Sequence, residues 1–175
     1  MRHPDPAPGP LPSAAGLRFA IVVSRFNIAI TDKLRDGARA ALAEAGAATR
    51  DVEVVSVPGA FEIPQAARAI AETGRCDSVV CLGCVIRGAT AHFEYIASAV
   101  AHGIQQASGD TGVPMAFGVL TTDTWEQAEE RAVDGPENKG WEAAAAAIEM
   151  AALFRRLRDA DRVGSRSGSR SDVER

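Results

Sequence analysis

The sequence predicts an α/β fold in three layers, α/β/α, with a four-stranded parallel sheet in the middle. Two observations carry that expectation. Four short apolar runs with strand character alternate with segments whose apolar residues recur at helical spacing. Glycine or proline stands at most of the junctions between them. Strands alternating with helices imply parallel strands joined by right-handed crossovers, so helices cover both faces of the sheet. A chain of 175 residues forms one domain with room for one sizeable core.

Residues 18–24 (RFAIVVS) form a short buried strand by composition. Asn27 is placed to N-cap the helix that follows, whose stripe is Ile30, Leu34, Ala38, Ala41, Leu42 and Ala45 and which Gly46 ends. Residues 52–57 (VEVVSV) form the second strand. Pro58-Gly59 breaks it, and 60–64 (AFEIP) leads into a helix that stops at Gly74, with Pro64 tolerable only in its first turn. The third strand is the run Val79, Val80, Leu82, Val85 and Ile86. It ends at Arg87-Gly88-Ala89-Thr90, where a third helix starts, with Thr90 as cap and His92 in the first turn, and continues to about Ala107.

Residues 110–113 read as a turn and 114–120 (PMAFGVL) as the fourth strand. The stretch 121–124 (TTDT) caps a short helix, with Thr124 and Gln127 at capping-box spacing. Asp134-Gly135-Pro136 interrupts the pattern. A last, Ala-rich helix runs from about Lys139 to Arg158, and its alanines at 143–147 suit close packing. The order β-α-β-α-β-α-β-α-α is flavodoxin-like.

In a parallel sheet of this kind, ligands bind beyond the carboxyl ends of the strands. That rule gathers four loops on one edge, at residues 24–27, 58–62, 84–92 and 117–122. They bring two aromatics (Phe26, Phe117), an acid (Glu62) and His92. The third loop is the most informative. A buried strand, a small-residue turn and a helix N-terminus leave backbone N–H groups without partners inside the helix, where the dipole favours an anion. Gly88 lets the backbone approach a ligand closely. A histidine at that end of a helix is poorly placed for stability, and the dipole favours its neutral form. The expectation is a phosphate-binding turn with a neutral imidazole beside it. Strand–turn–helix is also ordinary α/β architecture, so on these grounds a plain connection stays open.

The bulk properties exclude other classes. The formal charge is −4 and there is no basic stripe for nucleic acid. No apolar run reaches the ~18 residues of a membrane span. Residues 1–16 are Pro-rich without the apolar segment of a signal peptide and read as a disordered arm, leaving 17–160 as the folded domain and 161–175 as a disordered Ser/Arg-rich tail. Cys76, Cys81 and Cys84 are an odd number without a secretion signal, which points to the reducing cytoplasm. Cys81 and Cys84 form a CxxC pair, but strand residues three apart point to opposite faces, so both read as core residues. Arg131 has no carboxylate three or four residues before it on its helix. A guanidinium so placed suits phosphate, though a solvated surface arginine reads equally well.

Five blocks carry a resemblance: SRFN at 24–27, VPGAFEIP at 57–64, LGCVIRGATAHFEYI at 82–96, FGVLTTDTWEQAEERA at 117–132 and NKGWEAAAAAIEMA at 138–151. In order and spacing the chain resembles the lumazine synthase family over about residues 18–157. The resemblance implies condensation of 5-amino-6-(D-ribitylamino)uracil with 3,4-dihydroxy-2-butanone 4-phosphate. The products are 6,7-dimethyl-8-ribityllumazine, phosphate and water, in the penultimate step of riboflavin biosynthesis. It implies no metal and no organic cofactor.

Carried over residue by residue, Phe26 stacks on the pyrimidine. Ala60, Phe61 and Glu62 line the ribityl chain, and Cys84, Val85 and Ile86 contact the heterocycle. Ala89 and Thr90 take the phosphate together with Arg131, and His92 carries protons. Lys139 matches a family lysine near the site. Phe117 and Arg131 would come from an adjacent subunit, since the family assembles as pentamers and some members close twelve pentamers into an icosahedral 60-mer. Riboflavin synthase is the partner that the family suggests. The family's Gly/Lys-rich turn before the last helix is replaced by Val133-Asp134-Gly135-Pro136-Glu137, and Pro136 would stiffen it. The alternatives are a non-catalytic flavin or lumazine carrier, a shell protein of the same fold, and a flavodoxin-like electron carrier binding FMN.

Overall fold

The computed structural model describes residues 9–168. Four parallel strands, β1 (Phe19–Ser24), β2 (Val52–Val57), β3 (Ser78–Ile86) and β4 (Met115–Thr122), lie in the order β2-β1-β3-β4. Val23 of β1 stands beside Leu82 of β3, and Cys84 of β3 beside Leu120 of β4. The two central strands are the most apolar. All of β1 is buried, and β3 is buried from Ser78 to Cys84. A strand buried on both faces reads as a continuous hydrophobic run, which is why these were legible as strands without alternation.

Successive side chains of the central strands go to opposite layers. Ile21, Val23, Val80 and Leu82 pack with α1 (Ile28–Glu44) and α5 (Lys139–Gly168), through Ile30, Leu34, Ala144 and Ile148. Ala20, Val22, Val79 and Cys81 pack with α2 (Ile63–Glu72) and α3 (His92–Thr111), through Ile63, Ala67, Val100 and Ile104. The helices thus cover both faces, and the short α4 (Trp125–Glu130) joins β4 to the last helix. Cys84 belongs to the first layer and Cys81 to the second, as their spacing requires.

The α1–α5 contact is close because both surfaces are small. A Cβ on Gly140 would drive into the Leu34 carbonyl, and one on Gly37 into the Asn138 side chain. Asn138 is only 2% exposed and uses its whole amide. Its Oδ1 accepts from the Gly140 and Trp141 amides at 2.8 and 3.2 Å, and its Nδ2 donates to the Lys33 and Val133 carbonyls at 3.1 and 2.9 Å. One side chain therefore caps α5, holds the preceding loop and fastens both to α1.

Several boundaries differ from the sequence reading, each for a local reason. Asn27 stands at the head of α1 in the left-handed region, with φ 59°, and its side chain makes no cap. Its Nδ2 instead donates to the Cys84 carbonyl at 3.0 Å. Thr90 does not cap α3, because the helix starts at His92 and Ala91 holds the N-cap position. The expected turn at 110–113 is largely the last turn of α3, which continues past Ala107 until Gly112 takes φ 67° and its amide closes on the Ser108 carbonyl at 2.9 Å. β4 runs two residues beyond Leu120.

The packed chain also begins before residue 17. Ala14 is fully buried, its amide donates to the Ala45 carbonyl at 2.8 Å, and Leu11 lies against the same cluster. At the other end α5 continues past Arg158 to Gly168, so the expected tail from 161 starts inside a helix. The remaining parts of both expected disordered segments, 1–8 and 169–175, lie outside the described residues. No described helix is long and apolar enough to cross a membrane.

Candidate active site

The strand order reverses direction between β1, which leads outward to β2, and β3, which leads to β4. A crevice opens beyond the carboxyl ends of strands at such a switch point. Here a cleft of about 320 Å³ is lined by Phe26 after β1, Gly59, Ala60 and Phe61 after β2, Cys84, Val85 and Ile86 at the end of β3, and Gly88, Thr90, His92, Phe93 and Ile96 around the head of α3. That volume suits one small organic ligand.

Phe26 is held out into solvent by a fixed backbone. The Arg25 amide donates to the Val57 carbonyl at 2.8 Å and the Phe26 amide to the Pro58 carbonyl at 3.1 Å, while Asn27 is tied to β3 as described. The ring is nonetheless 70% exposed, and Phe61 opposite is 59% exposed. Both aromatics present free area to a planar or apolar ligand. Cys84 contributes a buried thiol, its pKa pushed up to about 11 by burial, so at neutral pH it is an apolar wall and not a nucleophile.

The turn at 88–91 is unusually open. The Arg87 amide still donates to the Thr122 carbonyl at 2.9 Å. Among the described residues, no protein acceptor meets the Gly88, Ala89 or Thr90 amides. A run of free amides at the head of a 20-residue helix is the arrangement that binds anions. His92, the first residue of α3, is exposed at the same wall of the cleft.

Beneath the turn, Arg87 donates from Nε to Asp123 Oδ1 at 2.7 Å and from Nη1 to Glu94 Oε1, and its guanidinium stands 4.3 Å from the Phe93 ring centroid. The hydrogen bond from Arg87 holds the Glu94 carboxyl below its ordinary range. Among the described residues no three His, Cys, Asp or Glu side chains come together in a metal-binding arrangement.

Most of the expected residues meet here: Phe26, Ala60, Phe61, Cys84, Val85, Ile86, Thr90 and His92 all line one cleft. Ala89 lies in the turn between two lining residues without lining the cleft itself. Glu62 does not line it either. Its carboxylate turns back to accept from the Gly59 amide at 2.9 Å, over the short 3-10 turn at Ala60–Glu62. Phe117, Arg131 and Lys139 also do not line the cleft of their own chain. Phe117 is 47% exposed on the edge strand β4.

Arg131 follows α4, donating to the Gln127 carbonyl at 2.8 Å with Glu130 no nearer than 3.9 Å. Lys139 sits beside it, its amide on the Arg131 carbonyl at 2.9 Å and its Nζ on the Glu142 carboxylate at 2.7 Å. Phe93 and Ile96 line the cleft without having been singled out from sequence. Their spacing on the helix that starts at His92 was the available signal.

The sequence profile of 6,7-dimethyl-8-ribityllumazine synthase matches residues 16–155, four-fifths of the chain and the whole of the cleft. The chain belongs to the 6,7-dimethyl-8-ribityllumazine synthase family. A protein of Syntrophus aciditrophicus (strain SB) bearing that name is 56% identical over 144 residues, which cover 82% of this chain and 94% of that one. The family match runs from just before β1 into the body of α5, so it takes in all four strands and every helix that packs on them.

Proposed function

We propose that this chain is a 6,7-dimethyl-8-ribityllumazine synthase. It condenses 5-amino-6-(D-ribitylamino)uracil with 3,4-dihydroxy-2-butanone 4-phosphate and releases phosphate and water. The carrying observation is that one cleft, inside the family match, holds an exposed aromatic ring, a helix N-terminus with open amides and a histidine within the same wall. Phe26 takes the pyrimidine face. Ala60 and Phe61 flank the ribityl chain, while Val85, Ile86 and the Cys84 backbone meet the heterocycle. Glu62 reaches ribityl hydroxyls with whichever carboxylate capacity its bond to Gly59 leaves.

The phosphate lies against the turn at Gly88, Ala89 and Thr90, with Arg131. Charge leaving as phosphate is stabilised there by amides and a guanidinium fixed before the reaction begins. His92 moves the protons that imine formation and ring closure require. Holding two substrates in one cleft is worth ~7–11 kcal/mol by itself, so positioning supplies much of the acceleration.

Arg131, Lys139 and Phe117 complete the site from a neighbouring subunit in a pentamer. Their absence from their own chain's cleft, and the exposed Phe26, Phe61, Tyr95 and Phe117, support that assembly over a monomer. Twelve-pentamer shells are not part of the proposal. The strand order matches the start of the flavodoxin-type order 2-1-3-4-5, which supports the flavodoxin-like reading. Free thiols at Cys76, Cys81 and Cys84 suit a cytoplasmic enzyme, and riboflavin synthase is the partner to test for transfer of the product. Nothing favours the non-catalytic carrier, shell or electron-carrier alternatives.

The deciding assay follows lumazine absorbance and fluorescence with both substrates, against the uncatalysed reaction, on a sample sized by light scattering. Acceleration from a pentamer-sized particle supports the proposal. A properly assembled oligomer without acceleration rejects it.

A further inference from the structure

Among the described residues, the turn beside the cleft makes no hydrogen bonds of its own at Gly88, Ala89 and Thr90, so its shape depends on what holds its two ends. One side chain holds both. Arg87 starts the turn, and its guanidinium reaches Glu94 in the first helical turn beyond it and Asp123 at the β4–α4 corner beneath it. The same group lies on the ring of Phe93, which lines the cleft beside His92. Its own amide is anchored to β4 through Thr122.

Arg87 does not itself line the cleft. Exposed ion pairs of this sort add little to global stability. Here they bridge the ends of a four-residue turn whose amides are kept open, and the effect falls on local order.

We propose that Arg87 is a positioning residue for the reaction. By clamping Glu94, Asp123 and Phe93 it holds the 88–90 amides and the head of α3 in place at the wall of the cleft, and so sets affinity for the phosphate-bearing substrate. This rests on reading the turn as the phosphate site. A flexible turn would have to be ordered each time phosphate bound, so removing the clamp weakens that substrate and spares the pyrimidine, which meets Phe26 and the end of β3.

The test is steady-state kinetics on the assembled protein with Arg87→Ala, Arg87→Lys, the double variant Glu94→Ala with Asp123→Ala, and Thr90→Ala. The expected result for Arg87→Ala is a roughly five- to tenfold rise in KM for 3,4-dihydroxy-2-butanone 4-phosphate, with KM for the aminouracil within about twofold. The double variant keeps Arg87 and should show the same split. Lysine, which lacks the planar fork, should recover only part of it.

If Arg87→Ala raises that KM and the double variant does not, Arg87 touches the phosphate directly and the clamp is wrong. If Thr90→Ala raises it and Arg87→Ala does not, the turn binds phosphate without the clamp. If no variant moves it, the clamp is wrong, whatever the backbone amides of the turn, which every variant keeps, contribute to phosphate binding. A matching rise in both KM values together with a lowered melting temperature would assign Arg87 a merely structural role.

Discussion

Replacing Asn138 by Asp tests whether this side chain is a helix cap or a hub. As a cap alone, Asp is as good as Asn, since both offer an oxygen to the first amides of the helix. The change should then be nearly neutral. As a hub it is not. The donor to the Lys33 and Val133 carbonyls is lost, and a carboxylate oxygen is set against two carbonyl oxygens at a site 2% exposed. Leaving a desolvated acceptor unmet costs about 1–3 kcal/mol, so losing both bonds costs at most roughly 2–6 kcal/mol before any repulsion is counted. Set against a typical total of about 5–15 kcal/mol, that is a large fraction.

Asn138→Ala removes the cap as well and adds about 1 kcal/mol to the loss. Urea unfolding at one fixed protomer concentration, followed by far-UV circular dichroism, should show the midpoint falling with the slope unchanged. An Asp variant with a wild-type midpoint would refute the hub and leave only the cap.

The remaining predictions concern the cleft, the sheet and pH. His92→Ala should slow turnover while leaving measurable activity, because positioning by the cleft survives. An unchanged rate and pH profile in the variant would remove His92 from proton transfer. Arg131→Ala should raise KM for the phosphate substrate more than it changes kcat, and a pure kcat loss would count against phosphate binding by this residue. Gly118→Ala should destabilise by about 1–3 kcal/mol in thermal unfolding, since the new Cβ would stand 2.6 Å from Leu82 Cδ2 and 2.9 Å from the Ala143 Cβ.

Burial pushes the Cys81 thiol up to about 12 and the Cys84 thiol up to about 11. Above the ordinary thiol value of ~8.5 the unfolded chain therefore sheds protons that the folded chain keeps. Stability should be fully present below that pH and fall by roughly 1.4 kcal/mol per thiol per pH unit above it. Cys81→Ala should flatten that slope, and parallel slopes for both proteins would contradict the assignment.

The strands were legible because β1 and β3 are apolar on both faces, a property of composition that survives without knowledge of partners. The cleft was legible for a related reason, since the carboxyl ends of parallel strands converge whatever their loops contain. Side-chain hydrogen bonds were not legible in the same way. Asn27 and Thr90 each had a cap position available, yet Asn27 bonds Cys84 across the sheet and Thr90 sits outside the cap, while Glu62, expected to face a ligand, folds back on Gly59. Which option wins depends on where the neighbouring strand ends.

Asn138 is the extreme case. It was read only as part of a family block, and one of its partners is Lys33, more than a hundred residues away. The end of α3 was placed near Ala107, whereas the helix runs on to Thr111 and Gly112 is the residue that takes a positive φ. Phe117 was gathered to the carboxyl edge of the sheet with residues 117–122, but it lies inside β4, and neither it nor Arg131 nor Lys139 lines its own chain's cleft.

The peg that carries Phe26 has a thermodynamic consequence for ligand capture. Ordering a backbone costs roughly 1–2 kcal/mol per residue in conformational entropy. Residues 25–27 have already lost that freedom to Val57, Pro58 and Cys84 before a ligand arrives. An aromatic ring has only two torsions left to settle, so docking a planar ring against Phe26 retains nearly all of the stacking free energy as affinity. Asn27, held in its left-handed conformation at the base of the loop, makes this exposed ring a rigid surface instead of a flexible one.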